Sequence, residues 1–329
     1  MNYGLWYDFR NPAQWRRPAD DFYRETLQQI SAAEGLGFDS IWLTEHHFCD
    51  DGYTPSPLVL AAAIGAGTER MRIGTNLMLL PLHDPVRLAE DAATLSLTTN
   101  GRFDLGMGIG YRALEFDQFG RKLSERPSMM EEGVEIIRRA WAGERVNFSG
   151  KRFRVGDLRV TPTPVHRPDL LLGGMVEPAI VRAARIGDGF LCTGGIGLDD
   201  YGEALEKVGK SPDSGKAVLG CWAIIAADPE AEAAQLGEHV LYQTNEYIRW
   251  GAFGPPDETP LFETAQAAIE NGLYELWDAN LAISELNRLK DTYPMITDIH
   301  FWAQFPGESI ESGSRRMRYI AEYVLPYVR

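Results

Sequence analysis

Short apolar runs alternate with segments of helical periodicity along the whole chain. Eight such runs can be counted, and the segments between them place apolar residues at the spacing of one helix face. This alternation predicts parallel strands that are covered by helices. The predicted strands span residues 3–8, 40–45, 72–80, 103–110, 169–174, 189–194, 217–226 and 297–305.

Prolines mark the start of four predicted helices. Pro57, Pro85, Pro127 and Pro178 each stand where the first helical turn tolerates a missing N–H. Eight strand–helix repeats without a linker-like change in composition favour a closed (β/α)8 TIM barrel, an α/β fold in one domain over residues 1–329. An open doubly wound sheet would more often show fewer strands and a dinucleotide fingerprint, and no G-x-G-x-x-G spacing occurs.

Two segments interrupt the repeat. Residues 146–168 contain two glycines and three prolines and predict a short structural excursion between the fourth helix and the fifth strand. Residues 251–260, GAFGPPDETP, form an insertion after the seventh strand, on the way to an extra helical stretch. This second segment could close over the barrel mouth as a lid or could be an inert surface loop.

Composition and charge narrow the function classes. The chain has 329 residues, of which 44% are apolar, so it can bury a large core. Its formal charge is −15, with 47 acidic against 32 basic residues and no block of Lys or Arg, which argues against nucleic acid as a partner. Cys49, Cys192 and Cys221 are odd in number and widely spaced, and we expect reduced thiols.

No membrane or secretory segment is recognisable in the sequence. Residues 1–7 lack the basic start, apolar core and cleavage site of a secretory signal. No run of about 18 apolar residues could span a bilayer. We expect a cytoplasmic protein that does not associate with membranes.

Two imidazoles and a carboxylate follow directly on the second predicted strand. Glu45, His46 and His47 stand at its carboxyl end, where a TIM barrel holds its catalytic residues. Successive side chains of a strand point to opposite faces, so His46 and His47 cannot chelate one metal from a regular strand. The helical H-E-x-x-H zinc spacing is also absent. We therefore expect an organic cofactor and no metal.

Five local patterns occur in a fixed order along the chain. They are residues 34–48 (EGLGFDSIWLTEHHF), 74–81 (GTNLMLLP), 84–91 (DPVRLAED), 101–111 (GRFDLGMGIGY) and 187–189 (GDG). Their order and spacing closely resemble the bacterial luciferase-like family of flavin-dependent monooxygenases, over nearly the whole chain and most strongly over residues 1–195. Such a barrel binds reduced FMN at its carboxyl end, forms a flavin 4a-hydroperoxide with molecular oxygen and oxygenates a small or medium organic molecule.

The resemblance also implies partners and catalytic residues. A separate NAD(P)H:flavin reductase would supply reduced FMN, and a homodimer is expected. His46 stands where the family has its functional histidine near the isoalloxazine ring, and an imidazole can move protons at neutral pH. His47 is a second candidate, and Glu45 could orient one imidazole or form a salt bridge with an arginine. Alternatively, His46 only bonds a backbone group at the barrel end.

Further residues are assigned to the flavin ring by the same resemblance. Asn76 and Leu77 match the end of the third strand, where relatives have a non-prolyl cis peptide that supports the ring, and Gly108 lies on the fourth strand. Aromatic residues expected at the mouth are Trp6, Tyr7, Tyr53, Tyr111, Trp222 and Trp302.

Phosphate binding is assigned to the fifth strand–helix turn. Gly174, Met175 and Val176 lead into a predicted helix start, where backbone N–H groups can hold an anion. Arg126 matches the family arginine between the fourth strand and its helix. The alternatives are a simple tight turn and an arginine that pairs with the glutamates at 131–132.

The chain departs from the luciferase pattern at four positions. Ile109 stands where the luciferase α-subunit has a phosphate-binding arginine, and Gly108 where it has an active-site cysteine. Val176 and Ala179 stand where hydroxyl side chains assist the phosphate. We do not expect light emission, and we expect weaker FMN binding, because each lost charge-assisted hydrogen bond is worth about 1.5 to 3 kcal/mol.

Three other functions remain open at this stage. A deazaflavin-dependent hydride-transfer oxidoreductase would use the same barrel, although the run from Glu45 to His47 favours the flavin–oxygen branch. A catalytically silent flavin-binding protein is a second alternative. A metal-dependent hydrolase is a third, but His83, His166, His239 and His300 show no ligand spacing.

Overall fold

The computed structural model describes all residues from 1 to 329. The strands are β1 (Asn2–Tyr7), β2 (Ser40–Leu43), β3 (Arg72–Thr75), β4 (Met78–Leu79), β5 (Phe103–Gly108), β6 (Arg145–Ser149), β7 (Arg154–Arg159), β8 (Leu170–Gly173), β9 (Gly189–Thr193), β10 (Ala217–Cys221), β11 (Ala223–Ile225), β12 (Glu275–Trp277) and β13 (Ile296–Trp302). The helices are α1 (Ala19–Leu36), α2 (Pro57–Ala66), α3 (Pro85–Thr98), α4 (Ala113–Gln118), α5 (Arg126–Trp141), α6 (Glu177–Ile186), α7 (Leu198–Lys207), α8 (Pro229–Trp250), α9 (Ala265–Glu270), α10 (Ala279–Thr292), α11 (Ile310–Tyr323) and α12 (Leu325–Val328).

Eight of these strands close into a parallel barrel. Their order around the barrel is β3, β2, β1, β13, β10, β9, β8 and β5, and a pairing between β3 and β5 closes the ring. Trp6 pairs in register with Trp42 on β2 and with Trp302 on β13, so three indoles lie at one level of the barrel. The predicted (β/α)8 barrel is confirmed, as are all eight predicted strands.

Two predicted strands are interrupted at the barrel mouth. The run 72–80 divides into β3 and β4 on either side of a cis peptide bond between Asn76 and Leu77. The run 217–226 divides at Trp222, after which β11 leaves the barrel and pairs with β12. Apolar residues continue into the loops here because these loops line a cavity, so an apolar pattern alone overestimates strand length.

The two predicted interruptions are both present. Residues 146–168 contain most of an antiparallel hairpin formed by β6 and β7. The insertion after the seventh barrel strand follows α8, and its Ala252 and Phe253 reach the cavity at the barrel mouth. The position of residues 251–260 therefore suits a lid, and closure of that lid stays a prediction.

The helix starts follow the predicted prolines. α2, α3, α5 and α6 each carry a proline in their first turn, and the Asp84 carboxylate accepts hydrogen bonds from the Val86 and Arg87 N–H groups at the start of α3. None of the helices combines the length and the apolar character that crossing a bilayer requires. The three cysteines are free thiols, as expected.

Candidate active site

A cavity of about 230 Å³ opens at the carboxyl end of the barrel strands. Its lining is mostly apolar and includes no Lys or Arg side chain. The lining residues are Trp6, Thr44, Glu45, His46, Tyr53, Asn76, Leu77, Leu79, Gly108, Ile109, Gly110, Tyr111, Gly173, Gly174, Met175, Leu191, Thr193, Trp222, Tyr247, Ala252 and Phe253. We call this space the mouth cavity.

The structure brings most of the predicted site residues together around the mouth cavity. Those that line it are Glu45, His46, Asn76, Leu77, Gly108, Gly174 and Met175, together with the aromatic residues Trp6, Tyr53, Tyr111 and Trp222. Those that do not line it are His47, Arg126, Val176, Tyr7 and Trp302. Tyr7 instead bonds Gln29 through its hydroxyl group, and Trp302 stacks on Trp6 with 4.3 Å between ring centroids.

His46 is held by side chains on both ring nitrogens. Its Nδ1 lies 2.8 Å from Oε1 of Glu115, and its Nε2 lies 3.1 Å from the Tyr111 hydroxyl. The rings of Tyr53 and Trp250 pack against the imidazole at centroid distances of 4.8 and 5.2 Å. If Nδ1 donates to Glu115, Nε2 is left as the acceptor on the cavity side. The imidazole is therefore not held by a backbone group, and it can exchange a proton with a molecule in the cavity.

Glu115 is a site residue that the sequence reasoning missed. It lies on α4, is fully buried, and accepts hydrogen bonds at Oε1 from the His46 ring and from the His47 backbone N–H. Its Oε2 has no hydrogen-bond partner. The only signal in the sequence is a carboxylate soon after the fourth strand, which is weak, because α4 must fold back over β2 before Glu115 can meet His46.

Glu115→Gln is expected to lower kcat by about tenfold or more while KM changes little, because an amide cannot stabilise a charged imidazole as a carboxylate does. Steady-state kinetics of this variant measure both constants. Asp117→Asn is the matched control, since Asp117 is exposed on the same helix. An unchanged kcat in Glu115→Gln would show that Glu115 does not position or stabilise the His46 imidazole during the reaction.

Glu45 orients two other histidines. Its Oε1 accepts hydrogen bonds from Nε2 of His47 at 3.1 Å and Nε2 of His83 at 2.7 Å, and its Oε2 accepts one from the Leu79 N–H. Burial alone would raise the pKa of this carboxyl, but the charge of His83 and these hydrogen bonds hold it at about 2. The pKa of His83 is raised in turn, because the carboxylate outweighs burial. Of the two predicted roles for Glu45, orienting an imidazole is the one present, and no arginine pairs with it.

His47 faces away from the mouth cavity. Its ring packs edge-on against Phe119 with 4.8 Å between centroids, and its only hydrogen bond through the ring is to Glu45. The two imidazoles do lie on different sides, but β2 ends at Leu43, so this arrangement belongs to the loop after the strand and not to strand alternation. The catalytic role predicted for His47 would require direct contact with the cavity, and this arrangement does not provide it.

The Asn76–Leu77 peptide is cis, as the resemblance implied. The Asn76 side-chain amide donates to Nε2 of His300 at 2.9 Å, and the Asn76 carbonyl accepts from the Trp6 indole at 3.3 Å. Burial lowers the pKa of His300 although Asp298 lies nearby, which keeps Nε2 free to accept. This part of the cavity wall is therefore fixed by hydrogen bonds from inside the barrel.

The Leu77 side chain packs against two glycines of the cavity wall. A Cβ atom on Gly108 would lie 2.6 Å from the Leu77 side chain, and one on Gly173 would also lie 2.6 Å from it. Gly108 therefore makes room for Leu77, which in turn presents an apolar surface to the cavity. The role of Gly108 is thus to leave space for Leu77, and it does not depend on the cysteine that the luciferase α-subunit has at this position.

The turn before α6 offers backbone donors. The N–H groups of Gly174, Met175 and Val176 donate no hydrogen bond within the protein. A Cβ on Gly174 would lie 2.4 Å from Cβ of Ala179, so the turn packs closely on the helix that it begins. Free N–H groups at a helix start are suited to an anion such as phosphate. A phosphate-binding role for this turn stays a prediction, as does the alternative of a simple tight turn.

Arg126 borders the same cavity through Gly110. Its guanidinium donates to the carbonyl groups of Gly110 and Leu123, and it forms no ion pair with any carboxylate. Glu131 instead pairs with Arg182 and Arg185, and Glu132 accepts three backbone N–H groups of the hairpin. Burial lowers the pKa of Arg126. The alternative that Arg126 pairs with these glutamates is wrong, and its charge remains available to an anion.

The sequence matches known proteins over most of its length. Residues 1–293 match the model of the luciferase-like monooxygenase family. An F420-dependent glucose-6-phosphate dehydrogenase from Amycolatopsis mediterranei (strain U-32) is 32% identical over 195 residues, which are 55% of this chain and 57% of that protein. The match thus spans little more than half the length of this relative.

Two solved structures share the whole fold. Monooxygenase RslO1 from Streptomyces bottropensis superposes with a TM-score of 0.84 at 24% identity, over 100% of both chains. An F420-dependent secondary alcohol dehydrogenase in complex with an F420–acetone adduct superposes with a TM-score of 0.77 at 20% identity, over 100% of this chain and 99% of that one. At these identities the likeness concerns the fold.

Proposed function

The chain belongs to the luciferase-like monooxygenase family, and we propose that it is an oxidoreductase that binds the isoalloxazine ring of FMN, or the corresponding ring of the deazaflavin F420, in the mouth cavity. The observation that carries this proposal is the position of His46. It lies on the cavity wall with Glu115 bonded to its Nδ1, so an imidazole that can exchange protons faces a mostly apolar space.

The residues present fit such a cofactor. Asn76 and Leu77 form a rigid wall for a flat ring, and the free N–H groups before α6 suit its phosphate. Arg126 supplies a positive charge that no carboxylate of the protein neutralises. When bound, the cofactor would supply hydride transfer in the case of F420 or activation of oxygen in the case of reduced FMN.

Two steps are performed by the protein itself. His46 accepts or returns a proton at Nε2, while Glu115 stabilises the charged imidazole through Nδ1. Tyr111, hydrogen-bonded to the same Nε2, can pass that proton to or from a molecule in the cavity. Tyr53 and Trp250 pack on the imidazole and cover part of its surface.

Deazaflavin-dependent hydride transfer is the reaction favoured by the comparison of sequences. The relative from A. mediterranei carries that activity in its name, and the alcohol dehydrogenase with the same fold also uses F420. Oxidation of an alcohol removes a hydride from carbon and a proton from the hydroxyl group, and His46 would take that proton.

Oxygenation with reduced FMN is the second candidate, and the charge of the site favours it. Arg126 and one helix start match the single phosphate of FMN better than the multiply charged tail of F420. RslO1, one of the structural neighbours that match over the whole chain, is a monooxygenase. The substrate would be a small or medium organic molecule, and a separate reductase and a homodimer stay predictions.

Two parallel assays separate these reactions. Without oxygen, the protein is mixed with F420 and a panel of secondary alcohols, and loss of the absorbance of oxidised F420 reports hydride transfer. In air, it is mixed with FMN, NADH, a flavin reductase and a panel of ketones, and ¹⁸O from labelled oxygen in the product reports oxygenation. Cofactor binding without turnover in either assay would indicate a silent binding protein and would overturn the proposal.

A further inference from the structure

A second cavity lies beside the mouth cavity, and Phe253 lines both. The second cavity has a volume of about 480 Å³ and is formed by α8 and the chain that follows it. We call it the side cavity. Its apolar lining residues are Ile248, Phe253, Pro260, Leu261, Phe262 and Leu273.

The side cavity has no charged side chain, and of its three polar side chains only the Asn271 amide nitrogen, at the exposed edge, has no partner within the protein, since Asn271 Oδ1 accepts from the Leu273 N–H. No acidic or basic residue lines it. The Thr244 hydroxyl bonds the Val240 carbonyl and the Tyr274 hydroxyl, and the Thr259 hydroxyl bonds the Pro255 carbonyl. The space is therefore suited to an uncharged, apolar group.

Phe253 stands between two glycines with positive φ. Gly251 has φ of 87° and Gly254 has φ of 130°, conformations that suit glycine. On the far side the chain is fixed, because Asn245 exchanges two hydrogen bonds of 2.9 Å with the backbone of Phe262. The shared aromatic ring thus lies on a short segment between two glycines, and the chain after the second glycine is fixed at Phe262.

The sizes of the two cavities determine what each can hold. The mouth cavity, at about 230 Å³, lies below the range of roughly 300 to 1,000 Å³ that is usual for ligand sites. A bound isoalloxazine ring would occupy most of it, which leaves room for only the reacting end of a substrate next to His46. The remainder of the substrate would then extend beyond the mouth cavity, and the side cavity is the neighbouring space that shares Phe253 with it.

We propose that the side cavity holds the apolar extension of a substrate whose hydroxyl or carbonyl group lies at His46, and that Phe253 controls passage between the two cavities. The substrate class is an uncharged molecule with one oxygen function and a medium-length aliphatic chain or ring system. This inference rests on the proposed function and specifies the substrate of the same site.

The test is the affinity of a homologous series of alkan-2-ones for the protein loaded with an oxidised cofactor. Each added methylene that becomes buried is expected to tighten binding about threefold to fourfold. We therefore expect Kd, measured by tryptophan fluorescence, to fall steadily from butanone through the medium-length ketones. A series without any dependence on chain length would overturn the proposal.

Two variants test whether the apolar part of the ketone binds in the side cavity. Leu261→Asp places a charge in the side cavity and is expected to raise the ratio of long-chain to short-chain Kd by about tenfold or more. Leu261 is 41% exposed, so this change should not prevent folding. Phe253→Trp narrows the passage and should raise the same ratio. Val165→Asp, on a residue that is 79% exposed elsewhere, is the control. A ratio that stays constant in both side-cavity variants would contradict the assignment.

Failure of the proposed function can be distinguished from failure of the inference about the side cavity. Titration with FMN and F420 precedes the ketone series, and if neither cofactor binds, the proposed function fails. If a cofactor binds and the ketone series shows no chain-length dependence, only the inference about the side cavity fails.

Discussion

His46→Ala is expected to reduce turnover by about 10² or more, which corresponds to about 2.7 kcal/mol of lost transition-state stabilisation. The imidazole is the only histidine ring on the wall of the mouth cavity, and Glu115 and Tyr111 engage its two nitrogens. Alanine removes the proton acceptor and leaves the cavity wall around Asn76 and Leu77 unchanged. Cofactor affinity should therefore stay close to that of the wild type.

The measurement is kcat in whichever of the two assays shows activity, together with Kd for the cofactor. His166→Ala is the matched control, because His166 is exposed and lies outside the mouth cavity. Partial recovery of His46→Ala by added imidazole would support loss of a proton-transfer group. Wild-type turnover in His46→Ala would exclude His46 from the mechanism.

Arg126→Ala is expected to weaken FMN binding by about 10- to 100-fold and riboflavin binding much less, because only FMN has the phosphate that the guanidinium would hold. The fluorescence of the two flavins during titration gives both dissociation constants. Arg126 forms no ion pair in the protein, so its removal leaves no carboxylate unpaired.

Lys122→Ala is the control for this experiment. Lys122 is exposed, lies four residues before Arg126 and carries the same charge, so its removal reproduces the change in net charge without the contact to Gly110. Equal weakening of FMN and riboflavin by Arg126→Ala would mean that the arginine supports the fold of this region rather than the phosphate.

The barrel was predictable because the sequence patterns that define its strands and helix starts are local. Each apolar run and each helix start can be recognised within about ten residues, as Pro85 after Asp84 illustrates, and eight repeats leave few ways to close a parallel sheet. The strand ends were less predictable, because the apolar run continues past the barrel strand at Trp222, which lines the mouth cavity, into β11, which pairs with β12 outside the barrel.

The site was predictable only where a residue carries a recognisable local pattern. His46 and Asn76 follow strand ends within such patterns, and both line the mouth cavity. Glu115 does not, because its partner is 69 residues away and the contact exists only after folding. The contacts of His47 and Arg126 were not predictable for a similar reason. The sequence does not determine which way a loop side chain points or which of several neighbours it contacts.

The central claim is that the ring of FMN or F420 binds in the mouth cavity, and a fluorescence titration of the protein with F420 and, without oxygen, with reduced FMN tests it most directly. Trp6 and Trp222 line this cavity, so a ring bound there should quench tryptophan emission. We predict saturable one-to-one quenching by at least one of the two cofactors. Absence of saturable binding by both would contradict the account.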